Sequence, residues 1–149
     1  MVNTHSLGDV TRESIEVAIS YIKSNSEFLN IDEDFFVNND IHIHFTEGSS
    51  PKDGPSAGVA ITTAILSHIK NQKISDEISM TGEISLKGDI LKVGGIKEKS
   101  IACFRNKIKT LYIPEDNKND IEWLEKDLKE SIEFIPINNY EDLFKKIFS

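Results

Sequence analysis

The segment that decides how this chain folds is GSSPKDGPSAGVAITTAIL, residues 48–66. Its first part is polar and contains two prolines, which fix the backbone φ angle, and glycines, which let the backbone approach a neighbour closely. From Ser56 onward the residues are small and apolar on nearly every side. This change of composition predicts a stiff loop that leads directly into a buried helix ending near Asn71.

Apolar periodicity before this segment predicts one helix and one strand. Residues at three- and four-residue spacing form the core-facing side of the helix: Ile15, Ala18, Ile19 and Ile22. Asp9 can cap this helix, which should end near Ser24. After a polar stretch, residues 42–45 alternate as in a half-buried strand.

The residues after the segment predict alternating strands and helices. Strands are predicted at 78–81 and 84–93, with residues 87–89 as the turn of a hairpin, and a helix follows from Gly94-Gly95 to about Asn106. After it come a strand at 110–113, which Pro114 stops, a helix at 121–128, a strand at 134–137 and a helix at 140–148. This order predicts an α/β (α+β) fold, a small mixed sheet with helices packed on it, in one domain spanning 1–149.

Composition excludes several function classes. The chain has 17 basic and 25 acidic residues, a net charge of −8, and its basic residues are scattered, so we expect no nucleic acid to bind this domain. No apolar run approaches the roughly 18 residues of a membrane span, so we expect no membrane contact. The single cysteine, Cys103, excludes an internal disulfide and leaves no Cys/His cluster at metal-ligand spacing, so no metal site is predicted.

Ser56 is the candidate nucleophile. A serine at a helix start is usually a capping residue, and that is the ordinary interpretation of a lone serine there. Here Gly54 and Gly58 flank the serine, and the free N–H groups of a first helical turn would lie beside it as donors for a developing oxyanion. A serine hydroxyl also needs a general base, because it is almost wholly protonated at neutral pH.

Two kinds of side chain are candidates for that base. His42 and His44 share one face of the predicted strand, although histidines on a strand are more often structural. A lysine serves if apolar surroundings depress its pKa. Lys97 and Lys99 both lie among small or apolar residues at the start of the helix after Gly94-Gly95, and the angle of about 100° per residue does not choose between them.

Three sequence motifs then resemble those of the Lon proteases. They are PKDGPSAG at 51–58, which resembles the family's nucleophile motif, MTGEISL at 80–86 and GGIKEK at 94–99, in the family's order and separation. Residues 6–14 are similar to the family's first helix, and 108–117 to its late strand and loop. The resemblance implies the Lon proteolytic-domain fold (ribosomal protein S5 domain 2-like) and, from the Lys-Asp before Gly-Pro-Ser, the bacterial and mitochondrial subtype.

The resemblance also implies residue roles. It makes Ser56 the nucleophile and Lys99, the second lysine of its motif, the general base, which separates Lys99 from Lys97. Thr81 would be the hydroxyl that helps hold the catalytic lysine; the alternative is an ordinary strand threonine. Asp53 would be a loop acid that blocks or opens the site; the alternative is a turn aspartate that bonds its own backbone. The remaining supporting residues of the nucleophile motif are Gly54, Pro55 and Ala57.

The family's activity is ATP-dependent cleavage of unfolded, damaged or regulatory proteins by a hexameric ring, in the bacterial cytoplasm or the mitochondrial matrix. The resemblance implies that activity here. No Gly-x-x-x-x-Gly-Lys-Ser/Thr phosphate loop occurs in this sequence, so ATP and Mg are expected in an ATPase domain outside it, and no cofactor is expected in this chain. Relative to the family domain, the chain also looks as if it lacks the opening strand or hairpin.

Two other functions are alternatives to proteolysis. They are a non-catalytic assembly module of the same fold and a phosphate-binding turn before a helix.

The sequence also departs from the family's pattern at three places. They are Lys92 where the family commonly has proline, Cys103 for alanine, and Asn106-Lys107 where small residues and glycine are usual. Asn106 can still take a left-handed cap, so we expect the fold to be kept.

Overall fold

The computed structural model of the chain describes residues 2–5, 9–44 and 55–148, with side chains at 11–43 and 56–148. The α-helices of these parts are α1 (Asp9–Ser24), α2 (Ser26–Leu29), α3 (Phe35–Asn38), α4 (Gly58–Lys70), α5 (Ile96–Arg105), α6 (Lys126–Ser131) and α7 (Tyr140–Ile147). Two 3-10 helices span Pro55–Ala57 and Glu115–Trp123. The predicted α/β fold class is confirmed, and most of the loop at 48–54 lies outside the described residues.

The described strands form three small sheets. They are β1 (Val2–His5), β2 (Ile41–His44), β3 (Ile78–Met80), β4 (Glu83–Ile84), β5 (Ile90–Leu91), β6 (Thr110–Pro114) and β7 (Glu133–Ile137). Strands β1 and β2 pair in parallel, β3, β6 and β7 form a parallel sheet with β6 in the centre, and β4 and β5 form the predicted antiparallel hairpin. Parallel and antiparallel pairs therefore both occur, but in separate sheets.

The central strand β6 separates two apolar clusters. Its side chains alternate between the two faces of the sheet, as in any strand. Tyr112 belongs to the larger cluster, which contains the buried sides of α1 and α4. Leu111 and Ile113 belong to the smaller cluster, where they pack with Ile96 and Cys103 of α5. The sheet is thus covered on one face by α1 and α4 and on the other by α5.

The larger cluster contains the apolar side of α1 that the sequence predicts. The four apolar residues of α1 are almost wholly buried, which confirms its core-facing side: Ile15, Ala18, Ile19 and Ile22. Tyr140 of α7 enters the same cluster, where its hydroxyl lies 2.6 Å from Thr63 Oγ1 of α4. The edge of the Tyr140 ring also meets the Tyr21 ring of α1, at 5.6 Å between centroids. One aromatic side chain therefore joins three helices.

Three elements were not predicted from the sequence. Strand β1 has polar residues at Asn3, Thr4 and His5 and gains its structure by pairing with β2, a contact between distant parts of the chain. Helices α2 and α3 are single turns within the stretch interpreted as polar connection. The strand predicted at 42–45 is observed one residue earlier, and Phe45 lies outside the described residues.

Two local predictions on the C-terminal side were wrong. A helix at 121–128 is replaced by the 3-10 helix Glu115–Trp123 and α6, because Leu124 and Glu125 both take extended backbone angles that separate the two. Asn106 has φ −95° rather than a left-handed conformation, because its side-chain amide donates to Ala102 O instead. The positive φ of 59° falls on Lys107.

Alkaline pH should destabilise the folded chain partly through Tyr21. Burial, reinforced by the negative charge of Glu141, raises the pKa of Tyr21 to about 12. The folded state therefore keeps this phenol neutral where the unfolded chain, with a tyrosine pKa near 10, would ionise it. Its contribution to stability is complete below about pH 10 and is lost as the pH rises through about 12. Tyr21→Phe should show a shallower decline of stability above pH 10, measured by urea unfolding from pH 8 to 11.5.

Comparison below pH 9 provides the internal control for this prediction. There the free energies of unfolding of the parent and Tyr21→Phe should differ by a constant amount, since neither state ionises the phenol. Parallel declines of the two proteins above pH 10 would contradict the assigned role of Tyr21.

Candidate active site

Ser56 lies on the 3-10 turn that immediately precedes α4. The helix itself begins at Gly58, and its N-cap is Ala57, without a side-chain capping bond. Among the residues that the structure describes, Ser56 Oγ forms no hydrogen bond, and the side chain is half-buried. The prediction that the helix starts at Ser56 was therefore wrong by two residues, and the capping interpretation of this serine was wrong as well.

Backbone hydrogen bonds fasten this turn to the residues that follow β3. The carbonyl of Ser56 accepts from Gly82 N–H at 3.0 Å and from Thr81 Oγ1 at 3.5 Å. In return, Val59 N–H donates to Gly82 O at 3.0 Å. Thr81 N–H donates to Tyr112 O of the central strand, also at 3.0 Å. A continuous series of bonds therefore runs from the sheet to the serine turn.

Small residues are required where these two segments meet. Gly82 has φ +153°, and a Cβ placed on it would lie 2.9 Å from Ile90 Cγ2 and 3.0 Å from Val59 Cγ2. A Cβ on Gly58 would lie 3.1 Å from the backbone nitrogen of Ile84. All three distances are shorter than ordinary packing contacts, so the close fit of the serine turn against the Thr-Gly-Glu segment explains glycine at these two positions.

Lys99 is the more buried of the two candidate lysines. It lies in the first turn of α5, where its N–H donates to Gly95 O at 2.9 Å. Its side chain is half-buried, whereas Lys97 is exposed. Burial thus distinguishes the two lysines, which helical angles alone did not do.

Cys103 connects α5 with β3. Burial raises the pKa of the Cys103 thiol, and the nearby Lys99 and a hydrogen bond with Ser79 oppose that rise. Ser79 lies in β3, the strand that Thr81 and Gly82 follow. Helix α5 is therefore bonded to the strand that leads to the residues holding the Ser56 turn.

No hydrogen bond joins Lys99 to Ser56 or to Thr81 among the described residues. The hydroxyl of Thr81, which is buried, is directed instead to the Ser56 carbonyl. The structure joins the serine turn to the end of β3, and the contact that it gives between α5 and β3 is the hydrogen bond of Cys103 with Ser79.

His42 lies away from this site. It is exposed on β2 and lines a groove together with Ala64 and His68, which lie in the second half of α4. Ser56 precedes the opposite end of the same helix. The side chain of His44 lies outside the described residues, as do Asp53 and Gly54.

Pro55 and Ala57 are described in part. The structure gives the backbone of Pro55, at the start of the 3-10 turn, and places Ala57 half-buried against the larger apolar cluster. Within residues 9–44 and 55–148, no group of three or more His, Cys, Asp or Glu side chains is placed to hold a metal ion. No helix in the described parts is long and apolar enough to cross a membrane.

The sequence around Asn117 did not indicate that its side chain bonds a distant part of the chain. It is a wholly buried asparagine in the second 3-10 helix. Its side-chain amide bonds both backbone groups of Val93, three residues before α5 begins. An asparagine shortly after a strand that ends in proline is typical of a turn. Only its burial in the structure distinguishes Asn117 from a turn asparagine.

Comparison with known proteins gives a consistent result. Residues 1–149 match the family described as the Lon protease (S16) C-terminal proteolytic domain. The chain is 43% identical over 145 residues to a Lon protease of Mycoplasmopsis agalactiae, covering 97% of this chain and 15% of that protein. It is 44% identical over 148 residues to a Lon protease of Aster yellows witches'-broom phytoplasma, covering 99% and 19%. A Lon protease of Mycoplasma pneumoniae is 40% identical over 149 residues, covering 100% and 19%.

Gly82→Ala should destabilise the chain, because the new Cβ meets Ile90 and Val59 and the backbone angle disfavours any side chain. We expect a loss on the order of 2 kcal/mol, which for a chain of this size lowers the melting temperature by roughly 5 °C. Thermal unfolding followed by circular dichroism measures it. Gly94→Ala is the matched control, since a Cβ there meets no atom within 4 Å; equal melting temperatures for the two variants would contradict the packing described.

Proposed function

The chain belongs to the family of the Lon protease C-terminal proteolytic domain, and on this premise we propose that it is a serine endopeptidase domain with Ser56 as nucleophile and Lys99 as general base. Family membership supports a protease function. The pairing of these two residues, the course of the reaction and the substrates are our proposal.

The observation that carries this proposal is the way the serine turn is held. The Ser56 carbonyl is bonded by Gly82 N–H, while the side chain is half-buried and its hydroxyl makes no bond within the described residues. A nucleophile needs a fixed backbone and a free hydroxyl. Lys99 supports the assignment because it is half-buried and lies near Cys103, which bonds Ser79 of β3.

In the proposed reaction, the neutral amine of Lys99 accepts the proton of the Ser56 hydroxyl, and Oγ attacks the scissile carbonyl carbon. Backbone N–H groups stabilise the oxyanion that forms. Since Val59 N–H is already bonded to Gly82 O, we assign this role to N–H groups nearer Ser56. The Lys99 ammonium then gives its proton to the leaving amine. A water molecule deprotonated by the regenerated amine finally hydrolyses the acyl-enzyme.

Supporting roles are proposed for residues around the dyad. The contact of Thr81 Oγ1 with the Ser56 carbonyl, at 3.5 Å, is at the limit of hydrogen bonding. The hydroxyl is therefore available to turn toward the Lys99 amine and hold it without adding charge. On the resemblance of the nucleophile motif, Asp53 is proposed as the loop acid that blocks or opens the site, with Gly54 and Pro55 shaping the loop.

The setting of this domain is also a proposal, because the chain spans between 15% and 19% of the length of the relatives described above. We propose that it acts within a homo-hexamer, with ATP and Mg bound by an ATPase domain. Its substrates would be unfolded, damaged or regulatory proteins in the cytoplasm. We propose no nucleic acid or membrane partner for this domain, which has a net charge of −8.

Hydrolysis of a fluorogenic peptide at high protein concentration tests the dyad. Ser56→Ala and Lys99→Ala should each lower kcat on the order of a thousandfold or more, because nucleophile and base act as a unit. Lys97→Ala is the matched control, since this exposed lysine lies two residues from Lys99; it should stay within about twofold of the parent.

The outcomes of this assay separate the possible assignments. Activity that persists in Ser56→Ala would exclude this serine as the nucleophile. Loss in Lys97→Ala together with survival in Lys99→Ala would move the base to Lys97. Melting temperatures near that of the parent show that each variant is folded, so that a lost rate reports chemistry.

Thr81 gives a second test within the same site. Thr81→Val keeps the shape of the side chain and removes its hydroxyl, so kcat should fall roughly ten- to a hundredfold through a misplaced lysine. Thr81→Ser keeps the hydroxyl and should keep most of the parent rate. Equal rates for the two variants would show that the hydroxyl has no part in the reaction.

A further inference from the structure

Asn117 uses its whole carboxamide inside the protein. The side chain is fully buried, and its Oδ1 accepts from Val93 N–H at 2.9 Å. Its Nδ2 donates to Val93 O at 2.7 Å and to Asp120 Oδ2 at 2.7 Å. Both amide protons and the amide oxygen therefore have partners, and the Asp120 carboxylate fixes which end of the group is the donor.

This arrangement accepts few other side chains. A carboxylate of the same size accepts hydrogen bonds but cannot donate one to Val93 O. An apolar side chain would leave both the N–H and the C=O of Val93 without that partner in a partly buried place, which is costly. The pattern of one acceptor and two donors thus selects asparagine at position 117.

The segment that Asn117 holds leads directly to the lysine. Strand β5 ends at Leu91 and α5 begins at Ile96, so Val93 lies in the link between them. Gly95 has φ +78° and gives α5 no side-chain cap. Gly95 O accepts from Lys99 N–H of α5 itself; within the described residues, the hydrogen bonds that tie the link at 92–95 to any other element are those with Asn117.

The remaining contacts of α5 with the sheet are largely apolar. Its buried residues Ile96 and Cys103 pack against Leu111 and Ile113 of β6. Such contacts are not directional and constrain the helix axis less than hydrogen bonds do. The buried hydroxyl of Ser100 bonds to Ile96 O within the same helix and does not hold the helix to the sheet.

From this geometry we infer that Asn117 is a positioning residue for Lys99: by holding Val93 it fixes the start of α5, and with it the place where the lysine amine meets Ser56. The inference rests on the proposed Ser56–Lys99 dyad and goes beyond it. Asp120 acts one step further out, through the carboxamide of Asn117.

The test compares Asn117→Asp, Asp120→Asn and the double variant in peptide hydrolysis, with kcat and KM measured for each. Asn117→Asp should lower kcat roughly ten- to a hundredfold while KM stays within about twofold, because the substrate does not touch this residue. Asp120→Asn retains the acceptor and should behave like the parent.

The double variant separates positioning from folding. Asn117→Asp alone places two carboxylates side by side and should lower the melting temperature; adding Asp120→Asn removes that repulsion and should recover most of it. The carbonyl of Val93 still lacks its donor, so kcat should stay low while KM stays near that of the parent. Tyr140→Phe, in the other apolar cluster, is the control for lost stability and should leave kcat and KM unchanged.

Asp120→Ala keeps the inference testable if Asn117→Asp does not fold, because it releases the carboxamide without burying a charge. It should lower kcat by a smaller factor, again with KM near that of the parent. A parent-like kcat in Asp120→Ala and Asn117→Asp, or in the double variant, would overturn the positioning role and leave the dyad intact. Activity in Ser56→Ala or Lys99→Ala would instead remove the dyad, and the inference with it.

Discussion

The reciprocal pair of backbone hydrogen bonds between the serine turn and Gly82 is the constraint on which the site depends. One bond runs from Gly82 N–H to Ser56 O and the other from Val59 N–H to Gly82 O, each 3.0 Å long. They join the start of α4 to the end of β3 without any side chain. Close approach of the two backbones explains why glycine occupies positions 58 and 82, since a Cβ at either would press on a neighbour. A rigid turn of this kind presents its hydroxyl in one direction.

The two residues of the proposed dyad are supported by different apolar clusters. The turn before α4 rests on the larger cluster, whereas α5 rests on the smaller one, on the opposite face of the sheet. Between them lie β3 and the central strand β6, which contribute side chains to both faces. The distance between the two residues of the proposed dyad is therefore set by the sheet and by what holds each helix start. Gly82 and Thr81 bond the turn before α4, and Asn117 bonds the link before α5.

The sequence predicts elements best where local periodicity and tertiary burial agree. The apolar stripe of α1 gave its bounds, and the Lys-Gly-Asp turn gave the β4–β5 hairpin. The sequence did not reveal β1, because its polar residues are ordered by pairing with a distant strand. Within the site, the glycine- and proline-rich composition around Ser56 was enough to single out this serine as a candidate. The choice between Lys97 and Lys99 needed the family resemblance, because their difference in burial arises from how α5 packs. The role of Asn117 depends on Val93, 24 residues away, and no local pattern indicates such a contact.

The two apolar clusters differ in size, and this difference predicts different free energies of local opening for the two parts of the fold. Among the described residues, seventeen buried side chains form the larger cluster and five form the smaller one. Segments with less buried apolar surface open at a lower free energy than the molecule as a whole. We therefore expect the layer that contains α5 to open at a lower free energy than the layer that contains α1, α4 and Tyr140.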